Sequence, residues 1–125
     1  MKPNQYIVFD LFLFIEAFDK FIINKDTNYH NILKYDLNYN ELSNWNNKDG
    51  KFSMILREII KKYFKVKVAF FPWNVPYAAC GVYIALESDD TNLFEIIITE
   101  LNMKSDEYTI TDQKGVEIII TSAIC

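Results

Sequence analysis

The sequence predicts an α+β fold: a single domain over residues 1–125, with helices packed on an antiparallel sheet and a C-terminal β-hairpin. Three observations predict it. Phe52, Ile55, Leu56, Ile59, Ile60 and Tyr63 recur at helical spacing. Val66, Val68 and Phe70 alternate with Lys65, Lys67 and Ala69, the period of two of a half-buried strand. The composition, 50% hydrophobic and 16% aromatic over 125 residues, supplies enough apolar surface for one core, too little length for two, and none of the signature of disorder.

Taken in order, Ile7 to Ile23 predicts a well-buried helix, with Phe9, Phe12, Leu13, Ile15 and Phe18 near one side. Its first half is open to a strand as well, because a short apolar run does not separate the two states. Asp10, Glu16, Asp19 and Lys20 interrupt the run, so it is too charged to span a bilayer and too broken to act as a signal peptide. Residues 24 to 50, rich in Asn, Asp and Tyr, predict loop with one short helix at most, and Asp49 is placed to cap the next helix.

The helix carrying Phe52 to Tyr63 shows Lys51, Arg57, Glu58, Lys61, Lys62 and Lys65 on its other side. Glu58 and Lys62 stand at the favourable i, i+4 spacing, and the cations gather at the negative end of the helix dipole. A strand from Val66 ends at Pro72, an aromatic loop with two prolines runs from Phe71 to Tyr77, and a second strand from Cys80 to Glu87 is positioned to pair with the first. Ser88-Asp89-Asp90 opens a helix to Met103 with Leu93, Phe94, Ile97 and Leu101 on one face, although Ile96-Ile97-Ile98 keeps a strand in contention. Tyr108–Thr111 and Val116–Thr121, joined by Asp112-Gln113-Lys114-Gly115, predict the terminal hairpin.

Chemistry is mostly excluded. Three glycines leave no Walker loop, dinucleotide fingerprint or nucleophile elbow. The two cysteines, Cys80 and Cys125, match neither a disulfide framework nor a metal spacing and suit a reducing, cytoplasmic setting. No zinc site, cofactor or catalytic residue is predicted. The single histidine, His30, lies in the Asn-rich stretch without a spaced partner for general acid–base work. Phe71, Trp73 and Tyr77 are read as a core cluster closing the sheet in preference to a binding platform, and apart from Lys65 and Lys67 lack the surrounding cations of a nucleic-acid groove.

What stands out is the sorting of charge. From Cys80 onward nine carboxylates face two lysines, net −7, while residues 1 to 79 hold eleven bases and eight acids, net +3. Such an acidic third raises the potential of one surface and speeds encounter with a basic partner. Direct contact with nucleic acid is not expected from a chain of net charge −4 and pI near 4.9.

The size, the acidic bias and the block Phe70 to Glu87, FFPWNVPYAACGVYIALE, resemble small immunity proteins of bacterial toxin systems, in particular the CdiI group of contact-dependent growth inhibition. The block covers 18 of 125 residues. The resemblance implies a cytoplasmic protein that binds and neutralises a cognate basic toxin domain, often a ribonuclease or other nuclease. It supplies no site residues. Those come from the charge pattern: Asp89, Asp90, Glu95, Asp106, Glu107, Asp112 and Glu117 are the expected partner contacts, with Glu95 on a helix face and Asp112 at a hairpin tip. Two other classes stay open: a small hydrolase or nuclease using His30, and an oligomeric subunit pairing through its apolar first helix and hairpin edge.

Overall fold

Strand and helix share the apolar run at the N-terminus. In the computed structural model, which describes residues 4–31, 51–70 and 83–122, β1 (Gln5–Asp10) passes directly into α1 (Leu11–Ile22). The junction is chemical: Asp10 keeps a non-helical backbone, φ −60° and ψ 129°, and its carboxylate accepts the Leu13 N–H at 3.1 Å. An N-cap of this kind satisfies one of the amides that the first turn leaves unpaired. The helix expected from Ile7 therefore starts at Leu11.

The remaining elements are α2 (Thr27–Asn31), α3 (Lys51–Phe64), β2 (Lys67–Phe70), β3 (Tyr83–Ser88), α4 (Thr91–Leu101), β4 (Tyr108–Thr111) and α5 (Gln113–Ser122). The aromatic loop, both cysteines and the Asp49 cap lie outside the described residues, as does the His30 side chain. The α+β class stands: the described residues form four antiparallel strands in the order β2-β3-β1-β4, with helices packed on them. The two strands flanking the aromatic loop do pair, as β2 and β3, with a register break between Val68 and Phe70.

Pleating sends alternate side chains to opposite faces. Ile7 and Phe9 of β1 and Ile84 and Leu86 of β3 join Phe14, Phe18, Leu56, Ile59, Ile60, Phe94 and Ile97 in the main core, so α1, α3 and α4 cover one face. Helix α1 is the shared neighbour of the other two, in contact with α4 and meeting α3 through rings at Phe18, Phe21, Tyr63 and Phe64. Val8 and Ala85 point the other way, where Val116, Ile119 and Ile120 of α5 pack on them with Tyr6 and Tyr83.

That second face explains the departure from the expected C-terminal hairpin. The chain does turn after β4, but the second arm is helical. β-Branched Val116 to Thr121 favour a strand in isolation, yet Val116, Ile119 and Ile120 sit at i, i+3 and i+4 and together cover an otherwise bare sheet face. Asp112 starts the helix: its carboxylate accepts the Gly115 N–H at 2.8 Å and its carbonyl the Val116 N–H at 3.1 Å. It is a helix cap and not a hairpin tip.

Two helix ends use left-handed residues that are not glycine. Asn102, at φ 52°, closes α4 in a Schellman arrangement, with Met103 N–H donating to the Ile98 carbonyl at 3.0 Å and Asn102 N–H to Thr99 at 3.2 Å. Lys65, at φ 55°, turns the chain from α3 into β2 while its N–H donates to the Lys61 carbonyl at 3.1 Å. Asparagine tolerates this region; a lysine there costs about 1 kcal/mol or more.

A polar clamp ties the α1–α2 turn to α3. The Asp26 carboxylate accepts from the Tyr29 N–H, from Lys62 Nζ and from Tyr63 Oη, each at 3.2 Å, and Lys62 also lies over the Tyr29 and Tyr63 rings. Burial alone pushes the Asp26 carboxyl up, but the Tyr29 amide, Lys62 and Tyr63 outweigh it and hold the group below its ordinary value. The bond to Asp26 raises Lys62 against the smaller opposing effect of burial. A depressed acid stabilises above its unfolded pKa and a raised base below its own, so the clamp contributes fully between about pH 4 and 10. It is lost as pH falls through the lowered Asp26 value or rises through the raised Lys62 value. Thermal unfolding across pH is the check: Asp26→Asn melts below wild type at pH 7, and the gap closes as the pH drops below the ordinary carboxylate range.

Candidate partner-binding surface

The acids of the last third fall into two groups once the chain is folded. Along α4 they form a stripe. Asp89 is exposed in the bend before the helix, and Asp90 caps it, accepting the Asn92 N–H at 2.9 Å while its own N–H donates to Ser88 Oγ at 3.0 Å. Glu95 and Glu100 are exposed on its outer side, and no Lys or Arg lies within α4. Past its end, Asp106 is exposed and Glu107 is half-buried, its carboxylate accepting the Lys104 N–H at 2.7 Å. Eleven helical residues set these ends roughly 16 Å apart at 1.5 Å per residue. Ile96, 51% exposed, sits between the carboxylates as an apolar member of the stripe.

Asp112 and Glu117 lie elsewhere, at the start and middle of α5 on the opposite face of the sheet. The seven expected contacts are therefore divided, five along α4 and two on α5. Asp90, Glu107 and Asp112 have local structural duties, and Asp89, Glu95 and Asp106 have no hydrogen bond or ion pair among the described residues.

Glu100 and Glu87 were not among the expected contacts. Glu100 could have been found from its spacing, since Ile96 and Glu100 at i, i+4 place it beside the outer surface that Glu95 opens. Glu87 needs the strand register. Lys67, Glu87, Tyr6 and Thr111 form one row across all four strands. In it Asn4 Nδ2 donates to Glu87 Oε2 at 2.6 Å, Tyr6 Oη donates to the same oxygen at 3.2 Å, and Lys67 Nζ stands 4.0 Å from Oε1. Burial first, then the Glu87 charge and hydrogen bond, and last Glu117, raise the Tyr6 phenol above its ordinary value. Asn4, Tyr6 and Glu87 with Asp112, Gln113 and Lys114 line a shallow cleft of about 370 Å³.

Cations collect at the other edge. Arg57, Lys61 and Lys65 follow one another at i, i+4 and i+8 along and just past α3, and Lys67 joins them from β2. The Arg57 guanidinium donates to the Val68 carbonyl at 3.4 Å, and burial lowers its pKa. Among the described residues no group of three or more His, Cys, Asp or Glu is arranged to hold a metal ion, and no helix is long and apolar enough to cross a membrane. Comparison with family models, with curated proteins and with solved structures found no match to this chain.

Proposed function

We propose that this chain is an immunity protein, one that binds a cognate toxin domain of basic character, a ribonuclease or other nuclease, and neutralises it. The observation that carries the proposal is the α4 stripe: exposed Asp89, Glu95, Glu100 and Asp106 around exposed Ile96, with no cation in the helix itself. A nuclease cleft is cationic because it must hold phosphates, and a row of carboxylates enters the same field, steers association and displaces substrate. An exposed aliphatic side chain amid the charges supplies the desolvated anchor that charge alone does not. The acidic bias and the Phe70 to Glu87 block support the same reading.

The test pairs this chain with the product of the neighbouring gene. Co-production of wild type should restore growth and abolish nuclease activity in a purified mixture. Glu95→Lys with Glu100→Lys, both exposed and free of capping duties, should weaken association by roughly tenfold or more and remove its salt sensitivity. Glu117→Lys, on the other side of the sheet, should leave it nearly unchanged. Full protection by the α4 double variant would overturn the stripe as the interface, and absence of protection by wild type would overturn the function.

A further inference from the structure

The groove between α3 and β2 has no part in that proposal, and its chemistry is the reverse. It has a volume of about 490 Å³, open to solvent, and is lined by Arg57, Lys61 and Lys65 with Val66, Lys67 and Val68 of the strand side. We propose that it binds a compact polyphosphate anion, the di- or triphosphate group of a small molecule.

Three features converge on this. The first is charge: Arg57 and Lys61 stand at i, i+4 on α3 and Lys65 follows just past its end, while Glu58 is the one carboxylate in α3. Lys62, one position off the row, is held by Asp26, but Lys61 and Lys65 have no carboxylate in ion-pair range among the described residues. Lys67 borders the groove from β2, but it alternates with Val66 and Val68 and its ammonium lies on the other face, 4.0 Å from Glu87, so the groove's cations are Arg57, Lys61 and Lys65. The second is backbone: Lys65 occupies a left-handed position, at φ 55°, that glycine fills at lower cost. A lysine kept there brings one more ammonium to the groove at the expense of folding stability. The third is anchoring: the bond from Arg57 to the Val68 carbonyl fixes one guanidinium against the strand, so part of the donor set is ordered before a ligand arrives.

Size and charge favour a small anion over a nucleic-acid strand. The volume is that of a small-molecule site. Outside the groove the chain holds nine of its thirteen Lys and Arg against all seventeen carboxylates, so a longer polyanion gains no net attraction from the rest of the chain.

Calorimetric titration of the full chain with sodium tripolyphosphate tests the proposal. Wild type should bind at one site, more weakly as salt rises from about 50 to 200 mM. Lys61→Glu with Lys65→Glu should lose about tenfold or more of the affinity. Lys65→Gly separates binding from folding: it should melt higher than wild type and bind tripolyphosphate several-fold more weakly. Amide shifts on titration should centre on Arg57 to Val68. Equal affinity in wild type and the double variant would overturn the site, and tighter binding of a single-stranded RNA 12-mer than of tripolyphosphate would overturn its assignment to a small anion.

Discussion

Phe18→Ala is expected to destabilise the protein by about 3–5 kcal/mol, the range for removing a large aromatic from a close-packed core. Phe18 is fully buried and is the joint between helices: its ring centroid is 5.6 Å from Phe14 in a stacked pair, 5.9 Å from Phe21, and 5.9 Å from Phe64 of α3, edge on. Truncation removes the transfer free energy of the ring and leaves a void that α1 and α3 cannot both close on, because each is also fixed to the sheet. Against a total stability of about 5–15 kcal/mol, this is a large fraction. Urea unfolding should show a lower midpoint with unchanged slope. A double-mutant cycle with Phe64→Ala should return a coupling of about 0.5–1.5 kcal/mol, the share belonging to the ring pair itself. A loss below about 1 kcal/mol would contradict the packing of α1 on α3.

Gly115→Ala should cost about 1–3 kcal/mol, despite alanine being the better helix former. A Cβ at Gly115 would fall on the Thr111 side chain, 2.8 Å from its Cβ and 2.9 Å from its Cγ2, with Oγ1 closer still. The obstacle includes the first atom of a β-branched side chain, which cannot swing away. Relief requires α5 to lift from β4, and with it Val116, Ile119 and Ile120 from Val8 and Ala85. Thr111→Ala in the same chain removes Oγ1 and Cγ2 and should recover part of the loss, which thermal melts of the four variants resolve. Full stability of Gly115→Ala would mean that α5 does not lie this close to β4.

Much of the fold was legible because local pattern and tertiary demand agree. The period of Ile55, Leu56, Ile59 and Ile60 gives α3, and all four are drawn into its core side. Asp90 caps α4 as its place before Thr91 and Asn92 suggests, and that helix prevails over the strand preference of Ile96 to Ile98 because Phe94, Ile97 and Leu101 fall on one face. The two departures have one physical cause. At Ile7 and at Val116 an apolar run serves either state, and the decision is made by a single aspartate, Asp10 or Asp112, whose carboxylate captures an amide three residues on. The capping residues were visible in the sequence, but which apolar face the sheet needed covered was not. The same holds for charge. Separation into an acidic third was plain, yet its division between α4 and α5 comes from the two faces of the sheet, and the groove that Arg57, Lys61 and Lys65 line needs the turn that Lys65 makes into β2.

The row Lys67, Glu87, Tyr6, Thr111 crosses every strand at one end of the sheet, from the cationic edge to the edge where Asp112 comes next in the chain. Electrically it makes the sheet a bar with unlike poles, and Glu87, bonded to Asn4 and Tyr6 and near Lys67, is where the polarity reverses. A body with unlike poles experiences torque in a field before it makes contact. A cation and an anion approaching the sheet thus turn it in opposite senses, within the roughly 10 Å screening length at about 0.1 M salt.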